Sequence, residues 1–154
     1  MKAVIQRVNR ASVEIDGSIV SSINRGFLVL LGVGEGDDES DAQILANKIA
    51  KMRIFTDEND KMNRSLHDVE GSVLVISNFT LYANCTHGNR PDFFDSAAPN
   101  IAEPLYERFV EMLSEQDIEC FTGRFGADMK VALENDGPVT IILDSKMLKN
   151  KTHG

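Results

Sequence analysis

Two strongly apolar stretches constrain this chain most: residues 26–33 (GFLVLLGV), and residues 72–79 (SVLVISNF), which turn polar at Ser77-Asn78. Continuous apolar character over such a short length predicts buried strands, the first of them central in its sheet. Around them the pattern alternates. Residues 2–8, 11–15 and 18–23 read as strands, with Asp16-Gly17 as the turn of a hairpin. Ser40 and Gln43 have capping-box spacing, and Ala42, Leu45, Ile49 and Met52 follow at helical intervals, which predicts a helix over about 41–52. Residues 56–60 (TDEND) read as a turn. Residues 83–98 form a long irregular segment of the kind that often carries function. A second helix is expected over about 100–115, with Ile101, Leu105, Phe109 and Met112 on its inner stripe and Glu103, Glu107, Glu111 and Glu115 on a solvated face. Residues 118–143 read as further strands, broken at Gly123 and at Asp136-Gly137-Pro138. Seven or eight strands and two long helices define an α+β domain with a curved, mixed, barrel-like sheet.

A length of 154 residues fits one domain. No run reaches the ~18 apolar residues of a membrane span, and the N-terminal stretch lacks a cleavage site, so no signal peptide is expected. Two cysteines, Cys85 and Cys120, are too few for a disulfide framework, which points to the reducing cytoplasm. The net charge of −8 argues against nucleic acid at first sight. The acidity is local, however. Residues 35–41 carry −5, residues 95–119 carry −6, the tail from Asp144 carries +2, and the remainder carries +1. A face suited to RNA therefore remains available.

Residues 32–36 (GVGEG) resemble a phosphate loop, but Asp37 stands where the third glycine of such a loop belongs, acidic neighbours repel phosphate, and no Gly-Lys-Ser/Thr follows. A glycine-rich turn is the better reading. His67, His87 and His153 show no ligand spacing with one another or with the cysteines, so neither a metal nor any other cofactor is expected. A Cys85–His87 catalytic pair is equally weak, and no nucleophile-elbow motif is present. Two segments carry more. Ser77-Asn78-Phe79-Thr80-Leu81 ends the second apolar strand. It reads either as a strand end whose polar groups satisfy the backbone, or as a site where the Phe79 and Thr80 N–H groups face a developing oxyanion. Asn135-Asp136-Gly137-Pro138-Val139-Thr140 reads as a turn, or as a rigid element that presents a carbonyl to a pocket, since a Gly-Pro bond reaches cis at a cost of only about 0.5–1 kcal/mol. Arg7 and the segment Gly88-Asn89-Arg90-Pro91 are its expected polar supports.

Six segments in register, MKAVIQRVNRASVEIDG, GFLVLLGV, RIFTDENDKMNRSL, SVLVISNFTLYA, GNRPDF and TGRFGADMKVALENDGPVTI, resemble the D-aminoacyl-tRNA deacylases of the bacterial and eukaryotic type. The resemblance covers residues 1–143 and leaves residues 144–154 as a polar, mobile tail. It implies a homodimer that hydrolyses the ester joining a D-amino acid, or mischarged glycine, to the tRNA 3′ end. The family's Ser-Gln-Phe-Thr signature falls on Ser77, Asn78, Phe79 and Thr80, with Asn78 one methylene shorter than the usual glutamine. Its Gly-cis-Pro signature falls on Gly137 and Pro138, which would enter the partner subunit's pocket, supported by Asn135 and Arg7. The Gly137 carbonyl would then hold the substrate amino group while an L side chain strikes the motif. The terminal adenosine's 2′-hydroxyl would help activate water, with Thr80 positioning and not attacking. Two other classes fit a chain of this kind: a non-catalytic module binding nucleic acid or protein, and an esterase acting on small molecules.

Overall fold

The two apolar stretches lie side by side in the sheet. In the computed structural model, which describes residues 1–150, the first is strand β3 (Gly26–Gly32) and the second is β6 (Ser72–Ser77), and they pair in parallel. β1 (Lys2–Ile15) and β2 (Ser18–Ile23) form the expected hairpin, but the two N-terminal runs are one continuous strand. β4 (Phe55–Thr56) and β5 (Met62–Arg64) make a small separate ribbon around the 57–60 turn. β7 (Glu119–Thr122) pairs in parallel with β6, and β8 (Lys130–Asp144) runs antiparallel to β1 along nearly its whole length. The order is β2-β1-β3-β6-β7 with β8 on the free edge of β1, a mixed and strongly curved sheet of barrel-like form.

Both faces of β3 and β6 are covered, which explains their unbroken apolar sequence. One face packs Phe27, Val29, Leu31, Val73 and Val75 against helices α1 (Glu39–Lys51) and α3 (Pro99–Ser114). The other turns Leu28, Leu74 and Ile76 toward Val8, Val13 and Ile23, with Leu30, Met129 and Val131 at the margin. A short helix α2 (Leu66–Val69) precedes β6. Among the described residues no helix is long and apolar enough to cross a membrane.

Four local expectations are corrected. The N-cap of α1 is Asp38, not Ser40. Its carboxylate accepts from the Ser40 N–H, and Asp41 at the third helical position returns a bond to the Asp38 N–H. The inner face of α3 is Ala102, Tyr106, Phe109, Met112 and Leu113, so Phe109 and Met112 point inward as expected, while Ile101 is 48% exposed. Both stripes have helical spacing. Tyr106 decides between them, because its hydroxyl donates to the Val75 carbonyl at 2.7 Å. The acidic residues of α3 do face solvent, with Arg108 set among Glu39, Glu111 and Glu115. The break expected at Asp136-Gly137-Pro138 is an excursion inside one strand, since β8 pairs with β1 on both sides of it. Residues 145–150, assigned to the tail by sequence, form helix α4 (Ser145–Asn150) against α1; the tail residues 151–154 lie outside the described residues.

The glycine-rich turn is closed by its own acid. Asp37 is buried, accepts the Gly34 N–H at 2.7 Å and pairs with the Met1 ammonium at 2.7 Å, so its carboxylate occupies the space a phosphate would need. Nearby, Asp41 accepts from the Ser145 hydroxyl at 2.7 Å and pairs with Lys149 at 2.9 Å. Burial pushes the Asp41 carboxyl up, but bonds from the Asp38 N–H, Ser145 and Lys149 outweigh that and hold it at about 2, below its ordinary 3.8. A depressed carboxyl stabilises the fold above its unfolded value, and that contribution disappears as pH falls through the folded value. Asp41 should therefore contribute about 2 kcal/mol above pH ~4 and lose it toward pH ~2. Urea denaturation from pH 5 to pH 2 should show a flatter decline for Asp41→Asn than for the parent chain; parallel declines would contradict the assignment.

Candidate functional site

The polar end of β6 opens onto a cavity of about 980 Å³. Leu28, Leu30, Ile76, Met129 and Val131 form its apolar floor, on the sheet face opposite the two long helices. Ser77, Asn78, Phe79 and Thr80 lie along one wall, and the 125–129 loop and Phe93 lie along others. The volume suits an organic substrate of moderate size.

The wall is built by a change of structure. β6 ends at Ser77, and a 3-10 helix spans Phe79–Tyr82 with Asn78 as its N-cap. The Asn78 N–H donates to the Leu31 carbonyl at 2.8 Å, which ties the turn to β3. The Asn78 side-chain oxygen accepts from the Thr80 N–H at 3.2 Å and from the Thr80 hydroxyl. Of the two N–H groups expected to face an oxyanion, that of Thr80 is thus engaged by Asn78. The Phe79 N–H is the first of the helix and has no intrahelical acceptor, and no loop or side-chain acceptor takes it among the described residues. Phe79 is 56% exposed and meets Phe93 edge-on, with ring centroids 4.9 Å apart. No histidine or carboxylate among the described residues bonds to Thr80, so its hydroxyl lacks a base to activate it.

Arg7, Asn135, Gly137 and Pro138 come together elsewhere. In the ladder between β1 and β8, Gln6 faces Thr140 and Val8 faces Asn135, so residues 136–139 bulge out opposite Arg7 alone. The buried Arg7 guanidinium donates to the Ile54 carbonyl at 2.7 Å, the Thr56 hydroxyl at 3.3 Å and the Asp136 carbonyl at 3.2 Å, and pairs with the Asp136 carboxylate at 3.2 Å. Asn135 closes the bulge from inside. Its side-chain oxygen accepts the Val139 N–H at 2.8 Å, and its amide donates to the Thr140 hydroxyl at 3.1 Å. Gly137 and Pro138 are exposed at the tip, and the peptide bond between them is cis. The expected support from residues 88–91 is not found: no hydrogen bond or ion pair joins that segment to the bulge among the described residues. The segment instead ends an irregular loop clasped by Asn84 and Asp92.

The two groups do not meet within one chain. Gln6 lines the cavity, whereas Gly137, Pro138, Asn135 and Arg7 do not. Successive strand residues face opposite ways, so Arg7 carries the bulge on the other side of the sheet from Gln6. Sequence reasoning missed the cavity floor, Phe93 and the residues of the 125–129 loop. Their apolar side chains come from three strands and two loops, and no local pattern links them.

The chain matches the family model of D-Tyr-tRNA(Tyr) deacylase over residues 4–144. It is 56% identical over 147 residues to the D-aminoacyl-tRNA deacylase of Thermosipho melanesiensis, covering 95% of this chain and 98% of that one. It is also 56% identical over 152 residues to the protein of the same name from Geobacter sulfurreducens, covering 99% and 100% respectively. Among solved structures it resembles the c-Myc DNA unwinding element binding protein, with a TM-score of 0.86 and 41% identity over 94% of this chain and 98% of that one. A structure described as a probable eukaryotic D-amino acid tRNA deacylase shares the fold with a TM-score of 0.75, at 17% identity over 92% and 97% of the two chains.

The bulge has a direct structural test. Gly137 has φ +126°, and a Cβ there would lie 2.9 Å from Val139 Cγ2 and 3.1 Å from Arg7 Nη2. Gly137→Ala should destabilise the fold by about 1–3 kcal/mol, read as a lower urea midpoint. An unchanged midpoint would show the bulge to be looser than its contacts imply.

Proposed function

The chain belongs to the D-Tyr-tRNA(Tyr) deacylase family, and on that premise we propose that it hydrolyses the ester linking a D-amino acid, or glycine, to the 3′ end of tRNA in the cytoplasm. Water adds to the ester carbonyl carbon, the bond to the ribose oxygen breaks, and that oxygen takes a proton. Free amino acid and tRNA leave. The observation that carries this reading is the cavity wall at Ser77–Thr80, where an unengaged Phe79 N–H stands beside an apolar chamber. That N–H would stabilise the developing oxyanion. An aminoacyl ester is already labile, so positioning and oxyanion stabilisation suffice without a strong nucleophile. The terminal 2′-hydroxyl would assist the water. Thr80, bound to Asn78, would position and not attack. Asn78 is shorter than the family's glutamine, and its carboxamide is occupied in capping Thr80.

Chirality needs a second element. Rejecting an L-ester by 10⁴ requires about 5.5 kcal/mol, more than pocket fit alone supplies. Gly137 and Pro138 are exposed, braced by Arg7 and Asn135, and outside their own chain's cavity. We place them in the cavity of a second copy, making the protein a homodimer with a shared site. There the Gly137 carbonyl would hold the substrate amino group, and an L side chain would strike the bulge. Glycine has no side chain to strike and would be cleaved.

A second reading, as a module binding nucleic acid without catalysis, has one observation in its favour, the 41% identity to a DNA element binding protein. The same assay separates the two. D-tyrosyl-tRNA and glycyl-tRNA should release free amino acid, while L-tyrosyl-tRNA should stay intact. Rapid cleavage of the L-ester would refute the exclusion mechanism, and no cleavage of any ester would favour the binding module. In single turnover, Thr80→Ala should keep the rate within about tenfold. A fall of about 10²–10⁴-fold with binding intact, the loss typical of a removed proton-transfer group, would assign Thr80 a chemical role.

A further inference from the structure

The cavity holds one ionisable side chain among the described residues, that of Asp128. It lies on the 125–129 loop, exposed to solvent, between Ala127 and Met129, which also line the cavity. Its carboxylate takes part in no ion pair or hydrogen bond among the described residues. Other aspartates are differently placed: Asp37, Asp41, Asp57 and Asp136 each hold a backbone group or a cation. The remaining polar side chains at the cavity are hydroxyls and amides.

Resting on the deacylase reading above, we infer that Asp128 provides the counter-charge for the α-ammonium of the substrate, so that the site selects aminoacyl esters with a free amino group over those whose nitrogen is acylated. An ammonium entering an apolar chamber loses hydration, and only a nearby anion or several acceptors restores what it loses. The Gly137 carbonyl proposed from a second copy offers one neutral acceptor, and Asp128 adds the charge. The same carboxylate repels the phosphates of the RNA. The substrate is therefore oriented, with its amino acid toward the 125–129 loop and its nucleotides away from it. An N-acyl ester has no positive charge, and Asp128 does nothing for it.

The test uses the full chain, with D-tyrosyl-tRNA and N-acetyl-D-tyrosyl-tRNA as substrates and wild type, Asp128→Asn and Asp128→Glu as enzymes. Each variant is compared with wild type on the same ester, which removes the difference in intrinsic lability between the two. Asp128→Asn should lower kcat/KM on the free-amine ester about tenfold, the factor that corresponds to ~1.4 kcal/mol, and leave the N-acetyl ester unchanged. Asp128→Glu should recover most of the loss. Equal losses on both esters, or no loss on the free-amine ester, would overturn the inference while wild-type turnover left the deacylase reading standing. Wild type inactive on both esters would overturn that reading and this inference with it.

Discussion

A buried guanidinium holds the two ends of this structure in relation. Arg7 sits in the middle of the longest strand pair, where the sheet would ordinarily close its ladder, and there it meets the Asp136 carbonyl and carboxylate, the Ile54 carbonyl and the Thr56 hydroxyl. A charge that deep needs every one of those acceptors. Removing a partner from a buried ion costs about 3–5 kcal/mol. The β8 bulge is thus held by the need to satisfy a cation as much as by its own turn chemistry. Asn135 completes it by taking the Val139 N–H that the widened ladder leaves free.

The consequence is a division of labour across one sheet. Gln6 and the apolar side chains beyond it open the cavity on one side, and the next residue of the same strand anchors Gly137 and Pro138 on the other. Under the function proposed above, a single chain would carry a chamber without its filter and a filter without its chamber, and a paired arrangement would supply both at once. It also accommodates an acidic protein acting on RNA, since a site that takes only the terminal nucleotide and its amino acid needs few phosphate contacts. The acidic face of α3 is solvated and carries its own arginine, which leaves it outside that task.

Much of this was legible in the sequence where one physical cause dominates. The buried strands β3 and β6 follow from apolar runs that only doubly covered strands tolerate. The hairpin follows from Asp16-Gly17. The polar wall at Ser77–Thr80 stands out because hydrophilic residues abruptly follow a core strand. Legibility fails where two causes compete. On α3, Ile101 and Tyr106 both fit an inner stripe, and only the Val75 carbonyl, far away in sequence, selects Tyr106. At α1, the Ser40/Gln43 spacing points to one cap, but Asp38 takes that place through its reciprocal bond with Asp41. The bulge looked like a turn because Gly-Pro is a turn signal, while the strand pairing on both sides of it is visible only once β1 is in place. The engagement of the Thr80 N–H by Asn78 is what the strand-end reading of this segment describes, but the sequence leaves open which N–H is taken.

Cavity and bulge form a shared site only if they act between chains. Mixing two inactive variants addresses this most directly: Thr80→Trp, which fills the cavity wall, and Gly137→Val, which distorts the bulge. After subunit exchange, each mixed dimer should contain one site with an intact cavity facing an intact bulge, and D-aminoacyl-tRNA hydrolysis should reappear at a fraction of the wild-type level. A mixture as inactive as its parents, despite verified exchange, would mean that the two elements serve the same chain and that the shared site does not exist.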